Sequence, residues 1–437
     1  MAKEFEEELN KRRQEREARR KQQRAQQLKL RIQLIIAAVV LVAATIAIIA
    51  LGSGNADAPA VDNGAELPTQ ETTVPETTVP ETTSLRNATT TIRIRAAGDL
   101  NITDNVILAG AGAGGYNFSN CFQDVAGVLS DANLTILNIE GNFCGEPYGS
   151  ASTSAPIQLA EALKAAGVDM VQMANSCSVN NGISGLGTTL HNLRSAGLEP
   201  VGAYATSEEF QREKGYTICE IEGVKVAIVA FTKGVGSRGL PIGSEDCVNL
   251  LYTDFATTYE EVDTAGIKKI LQNAASEKPD ITIALLHWGS EYNDTISSTQ
   301  KEIVKLMQNQ GVDVIIGTHS HMVHEISYDE TTGNLVAYSL GDFFGDASRS
   351  GTAYSIILDL EITKDYDLGT TRVTDYGYIP IYTLSESESA DGKRRVVLID
   401  ESMLAYDQNF MNRIAASAYE NMAYSLNRIE ARVKGEG

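Results

Sequence analysis

Three of the chain's five histidines fall in two short stretches, His287-Trp288-Gly289-Ser290-Glu291 and Gly317-Thr318-His319-Ser320-His321. Each stretch directly follows an apolar run, at 281–286 and 312–316. Acidic and amide side chains stand in the same relation to three other apolar runs. Gly98-Asp99-Leu100-Asn101 follows 92–97, Asn138-Ile139-Glu140-Gly141 follows 134–137, and Ala174-Asn175-Ser176-Cys177 follows 168–173. Imidazole and carboxylate together suit Zn, Mn or Fe, and a mixed set of this size has room for one or two such divalent ions. Two ions about 3.5–4 Å apart can clamp a phosphoryl group and lower the pKa of a bridging water, which permits hydrolysis near neutral pH. Plainer readings exist for single members. Asp99 after a strand is also a common helix N-cap, and His287 beside Trp288 also reads as a hydrogen-bonded core histidine. His319 and His321 resist that treatment, because they follow Gly317 in a tight turn where packing needs no imidazole.

The elements that must position these groups are short β-branched or aliphatic runs alternating with helical patterns, which reads as an α/β fold. In open α/β sheets the ligand site lies beyond the carboxyl ends of the strands, and that is where the acidic, amide and imidazole groups fall. Strands are expected at the runs named above and at 224–231. Helices are expected at 156–166, 184–196, 259–275 and 298–310. Runs at 335–339, 353–362 and 394–399 lack long intervening helices and predict a β-rich closing segment over 351–437, finished by helix after Glu401.

Several of these stretches together resemble the poly-γ-glutamate capsule biosynthesis (CapA) family. They are Gly98-Asp99, Asn138-Ile139-Glu140, Ala174-Asn175 with Gly182, His287-Trp288-Gly289 with Glu291-Tyr292, Gly317-x-His319-x-His321, and Tyr338-Ser339-Leu340-Gly341 with Phe343. The resemblance covers roughly residues 92–345. It implies the four-layer α/β/β/α sandwich of the calcineurin-like metallophosphoesterase superfamily. It also implies one metal held by Asp99, Glu140 and His321. A second would be held by Glu140 as a bridge, His287, His319 and a group from the third motif, here Ser176. Asp99, Glu140, His287 and Cys177 are the implied catalytic positions. The third motif departs from the family's Ala-Asn-Asn-His and following Asp, since this chain has Ala174-Asn175-Ser176-Cys177 and Asn180. Asp342 stands where the family commonly has Asn, and His324 where it has Gln. Ser176 as a ligand implies a weaker second metal, and Cys177 in place of His implies a poorer proton donor. Loss of a general acid typically removes about 10²–10⁴-fold in rate.

The N-terminal part carries a different message. Residues 1–31 hold 11 Lys/Arg against 6 Glu, while the whole chain has a net charge of −21. From 32 to 51 the only non-apolar residues are Gln33 and Thr45, which predicts one transmembrane helix over 32–52. The preceding basic cluster predicts a cytoplasmic N-terminus and an extracytoplasmic C-terminal bulk. The repeat Glu-Thr-Thr-Val-Pro at 71–75 and 76–80 predicts an extended, disordered stalk over 53–90, and the folded domain is expected over 91–350. An acidic surface argues against nucleic acid as a partner. Five cysteines without CxxC spacing argue against a zinc ribbon and leave pairing open.

Three functional expectations follow. One is a cell-membrane component of poly-γ-glutamate or related surface-polymer synthesis or export. Its partners would be a membrane-bound ligase, a small membrane subunit and an anionic polymer. Another is an extracytoplasmic metal-dependent phosphoesterase acting on a phosphorylated substrate, and the third is a catalytically impaired, polymer-binding relative of one. Lys233 and Arg238 near the motifs are candidates for holding an anion, although a solvated glycine-rich loop explains them as well.

Overall fold

A computed structural model describes residues 88–436 except 237 and 238, together with residues 2–12, 14, 15, 18 and 22. Residues 2–12 are helical. The transmembrane helix expected at 32–52 and nearly all of the expected stalk lie outside the described residues. Among the described residues no helix is long and apolar enough to cross a membrane.

In chain order the strands are β1 (Thr89–Asn101), β2 (Ala111–Gly112), β3 (Gly115–Tyr116), β4 (Leu134–Glu140), β5 (Met170–Gln172), β6 (Glu199–Val201), β7 (Tyr216–Ile221) and β8 (Val224–Thr232). They continue with β9 (Ile281–His287), β10 (Val314–Thr318), β11 (Ile326–Tyr328), β12 (Leu335–Ala337), β13 (Asp342–Phe344), β14 (Tyr354–Asp365), β15 (Thr370–Leu384) and β16 (Arg395–Leu398). The larger sheet has the order β16-β15-β14-β1-β4-β5-β6, with β13 joined to the end of β1. The smaller sheet runs β11-β12-β10-β9-β8-β7, and β2 and β3 form a hairpin of their own.

Side-chain alternation shows how the layers stack. In β8, Val226, Ile228 and Ala230 enter the large core shared with β1 and β4, while Ala227, Val229 and Phe231 enter a second core. That second core is lined by Ile267, Ile270 and Leu271 of the helix Thr264–Ser276 and by Ile303 and Met307 of the helix Ser298–Gln308. The helices Ile157–Ala165 and Gly182–Ser195 contribute Leu159, Leu163, Leu186 and Leu190 to the large core on the side of the larger sheet. The result is the expected order of helices, sheet, sheet, helices. β9 is buried at every position and has parallel neighbours on both sides. That is why its sequence is a continuous apolar run rather than an alternating one.

Differences from the expected elements have local causes. The helix expected at 259–275 starts at Thr264, because Tyr259 takes a left-handed φ of 56° and the Asp263 side chain caps Gly266 N at 2.9 Å. Ser297 and Gln300 form a capping box that opens the next helix at Ser298. β7 escapes a pattern search since most of it is half-buried, paired antiparallel with β8. β14, β15 and β16 extend the same sheet as β1, and all five cysteines are free thiols.

The feature that positions the site is the end of β1. Up to Ala96 the strand pairs antiparallel with β14, and past a bulge it pairs in parallel with β13, where Asp99 is the partner of Asp342. The register on β4 also shifts there and sets Asp99 beside Asn138. This crossing requires close backbone approach, since a Cβ on Gly98 would lie 1.7 Å from the Gly341 carbonyl oxygen. Gly98→Ala should therefore lower the stability of the full chain by about 3 kcal/mol, as a shift in the denaturation midpoint. Gly187→Ala is the control: its Cβ meets only Ala205 at 3.6 Å within a helix, so stability should rise by a few tenths to about 1 kcal/mol.

Candidate metal centre

Asp99, Glu140, His287, His319, His321 and Asp342 are all buried. Asp99 lies near the end of β1, just before Leu100 and Asn101, Glu140 ends β4, His287 ends β9, and His319 and His321 follow β10. Two groups of ligand atoms form, each with its atoms within 4.8 Å of one another: Glu140, His287 and His319, and Asp99, His321 and Asp342. Glu140 lies between them, with Oε1 at 2.8 Å from His287 Nε2 and Oε2 at 3.7 Å from His321 Nε2.

Each ligand is oriented by a further contact. Asp99 Oδ1 accepts from Asn138 Nδ2 at 2.6 Å, and its Oδ2 accepts the backbone N–H of His319 at 3.0 Å. Asn138 in turn accepts from Asn175 Nδ2 at 3.2 Å. His287 Nδ1 lies 3.1 Å from Thr318 Oγ1, which leaves Nε2 for the site. His321 Nδ1 is 2.8 Å from Asp342 Oδ1, and its ring stacks on Tyr292 with centroids 5.0 Å apart. His319 and His321 take left-handed φ values of 89° and 60°. Such backbone costs about 1–3 kcal/mol per residue and concentrates at functional sites. The preceding Gly317 has no room for a Cβ, which would lie 2.0 Å from the Tyr338 carbonyl oxygen.

The electrostatics are those of a cluster that lacks positive charge. Burial, reinforced by Glu140, pushes the Asp99 carboxyl up to about 7. Burial also raises Asp342, against the opposing pull of His321. Burial disfavours the charged form of His321 too, yet the hydrogen bond and charge of Asp342 lift it to about 10. For Glu140 burial is likewise opposed and overcome, here by His287, so its carboxyl falls below the usual range. Burial and the neighbouring His287 drive His319 well below its ordinary value. His319 is therefore a neutral imidazole, and its buried Nδ1 has no hydrogen-bond partner. A buried histidine with an orphaned ring nitrogen, grouped with Glu140 and His287, fits a divalent ion, and nitrogen with carboxylate oxygen is the donor set of Mn, Fe or Zn.

The structure brings together every residue expected at the metal site. The first group is completed by Asp342, with Glu140 shared at longer range. Asp342 was visible in the sequence only as a departure from the family pattern; its pairing with Asp99 across β1 and β13 was not. Ser176 Oγ donates to Glu140 Oε1 at 2.9 Å and lies 3.1 Å from His287 Nε2, so it occupies the place of the expected third-motif ligand. Cys177 is half-buried, and burial together with the Glu140 and Glu291 charges pushes its thiol well up. His324 stands apart, bonded through Nε2 to the Asn293 carbonyl at 2.8 Å.

Buried histidines and carboxylates meeting at the strand ends of a two-sheet α/β sandwich define a candidate dinuclear metal protein. Residues 93–347, more than half the chain, match the bacterial capsule synthesis protein PGA_cap family, and the chain belongs to that family. It is similar to the capsule biosynthesis protein CapA of Bacillus anthracis, 26% identical over 209 residues covering 48% of each chain. It is similar as well to the PGA biosynthesis protein CapA of Bacillus subtilis strain 168, 26% identical over 210 residues covering 48% of this chain and 50% of that one. The chain thus spans about half the length of each relative it matches. Among solved structures it is similar to the calcineurin-like phosphoesterase YfkN of Bacillus subtilis, with TM-score 0.41, 15% identity, and 79% and 98% of the two chains covered. A phosphatase from Mycoplasma pneumoniae gives TM-score 0.39 at 15% identity, covering 67% and 94%.

His287→Ala and His319→Ala should each abolish metal retention in the full chain while leaving its circular dichroism unchanged. Elemental mass spectrometry of protein purified without chelators measures this, and unchanged metal content in both variants would overturn the ligand assignment.

Proposed function

We propose that this chain is a membrane-anchored, outward-facing component of poly-γ-glutamate or related surface-polymer synthesis or export, working through a divalent metal centre. The observation that carries this reading is that the region matched by the capsule-synthesis family is the one that gathers three histidines and three carboxylates from the strand ends of the two sheets. The apolar run at 32–51 behind a basic segment supports the anchor and its orientation. A membrane-bound ligase and a small membrane subunit are the partners this role requires.

When bound, a divalent ion would polarise a phosphoryl or acyl oxygen and lower the pKa of a bound water. The chain's own residues do the rest. Asp99, His321 and Asp342 would hold one position, and His287 and His319 would hold the other. Glu140 faces both, and Ser176 adds a neutral hydroxyl beside Glu140 and His287. The Thr318 and Asn138 contacts fix the His287 ring and the Asp99 carboxylate, so neither must reorganise when a substrate arrives.

A second reading, slow or absent phosphoester turnover, is favoured by Cys177. Its thiol is raised by burial and by neighbouring negative charge, so it surrenders a proton to a leaving group poorly. A histidine there would serve better, as the general-acid contribution of about 10²–10⁴-fold implies. Cys177→His should accordingly raise hydrolysis of a chromogenic phosphodiester by at least about tenfold, and Ser176→Asn should tighten retention of the second metal equivalent. No gain in either variant would remove the third motif as the cause of weak turnover.

The surface-polymer role is tested in the source cell by deletion and complementation. Wild type should restore cell-associated anionic polymer and His319→Ala should not. Full restoration by His319→Ala would separate polymer synthesis from the metal centre. Protease added outside intact cells should degrade the C-terminal domain, and protection of that domain would overturn the outward orientation.

A further inference from the structure

The His321 ring is held at one edge and on one face. At the edge, Asp342 Oδ1 meets its Nδ1 at 2.8 Å, and Asn101 Nδ2 lies 3.5 Å from the same nitrogen. Bonds to one ring nitrogen fix its direction but not the tilt of the ring about it. On the face, the Tyr292 ring removes that freedom, stacked 24° from coplanar with centroids 5.0 Å apart. His321 Nε2 then stays turned to Glu140, 3.7 Å from its Oε2. Tyr292, however, is not fixed by the core. It is exposed, takes a left-handed φ of 54°, and sits in the loop between β9 and the helix Ser298–Gln308.

Three consecutive residues of that loop are each tied down from outside it. The Tyr292 N–H donates to the Ser320 carbonyl at 2.9 Å. The Asn293 carbonyl accepts from His324 Nε2 at 2.8 Å. The Asp294 carboxylate meets Arg432 Nη2 at 2.7 Å. Arg432 comes from the last turn of the final helix, Ala416–Val433, and is buried beside His324. Its Nη1 also donates to the Val323 carbonyl at 3.3 Å, so one guanidinium joins the Tyr292 loop to the chain just past His321. The helix that carries it is anchored separately, through Ala418, Met422, Ile429 and Val433 in the large core. Arg432 lies beyond residues 93–347, the part matched by the capsule-synthesis family. So does Arg349, whose guanidinium lies 4.0 Å from the centre of the Tyr292 ring. We propose that Arg432 and His324 are positioning residues. Through Asp294 and Asn293 they set the Tyr292 ring on His321, so the final helix completes the Asp99–His321–Asp342 side of the metal centre from outside the matched region. This rests on the divalent-metal reading and goes beyond it, since it gives the closing segment a part in the site.

Manganese titration of the metal-free full chain in detergent tests this by calorimetry, with electron paramagnetic resonance reporting whether two bound ions are coupled. Wild type should take up two equivalents. Arg432→Met and Asp294→Asn should each weaken one equivalent about tenfold, the lower end of what losing a contact behind a ligand costs, and leave the other within about threefold. The coupled signal should then appear only at higher manganese. Arg432→Lys, which keeps the charge, should keep most of the affinity. Tyr292→Leu should copy the loss and Tyr292→Phe should not, since stacking does not use the hydroxyl. Arg413→Met breaks another ion pair of the C-terminal segment, with Asp124 at 2.9 Å, and should leave both equivalents unchanged. Both equivalents unchanged in Arg432→Met and Asp294→Asn, or both weakened together, would overturn the positioning role while sparing the metal centre. Fewer than two equivalents in wild type would overturn the dinuclear reading and this inference with it.

Discussion

Three carboxylates out of water in one place are a severe constraint. Each buried anion costs several kcal/mol unless its charge and lone pairs are met. Here Asp99, Glu140 and Asp342 share one site. The protein answers with three imidazoles, the Asn138 amide and the backbone N–H of His319. The answer is incomplete. Asp99 is pushed up to about 7 and His321 up to about 10, so protons supply charge that the fixed groups do not. A divalent ion would supply the same charge with directed bonds, and Asp99, Glu140, Asp342 and the three histidines are the residues that would hold it.

That cluster exists only because two backbone approaches are unusually close. Gly98 against Gly341 lets β1 exchange β14 for β13, and the exchange sets Asp99 opposite Asp342. Gly317 against Tyr338 lets β10 run past Trp288, whose indole N–H donates to the Tyr338 carbonyl at 3.0 Å. The chain beyond Gly317 can then turn through the left-handed conformations that aim His319 and His321 inward. The strained backbone is held by packing on both sides, since β9 and β10 are buried throughout. The site is therefore rigid before any ligand binds, which lowers the reorganisation a reaction or a binding event would need.

How much of this could be read from the sequence follows from the period of the signals. Apolar runs covered on both faces announce β4, β8, β9 and β10, and the polar residues at their ends announce the site. β7 and β15 are largely half-buried strands, and β15 contains Gly377 and Pro380, so no clean alternation marks them. Asp342 as a ligand depends on which strand lies beside β1, a long-range pairing that no local pattern encodes. The same holds for Arg349, whose relation to His321 passes through Tyr292 and a loop more than fifty residues away in sequence. Lys233 was visible, but its position beside His287 depends on the pairing of β8 with β9.

The third motif separates two tasks that a dinuclear site usually performs together. The residues that would hold metal are Asp99, Glu140, Asp342 and the three histidines, and the structure gathers them. The proposed place for protonating a leaving group is Cys177, whose thiol is raised by burial and by Glu140 and Glu291. Ser176 falls between, since its hydroxyl reaches both Glu140 and His287 but brings no charge and weak donation. On the proposed reading, such a centre would still draw an anion through a bound metal while losing rate for want of a good proton donor, and the proposed retention of an anionic chain would ask for the first property and not the second.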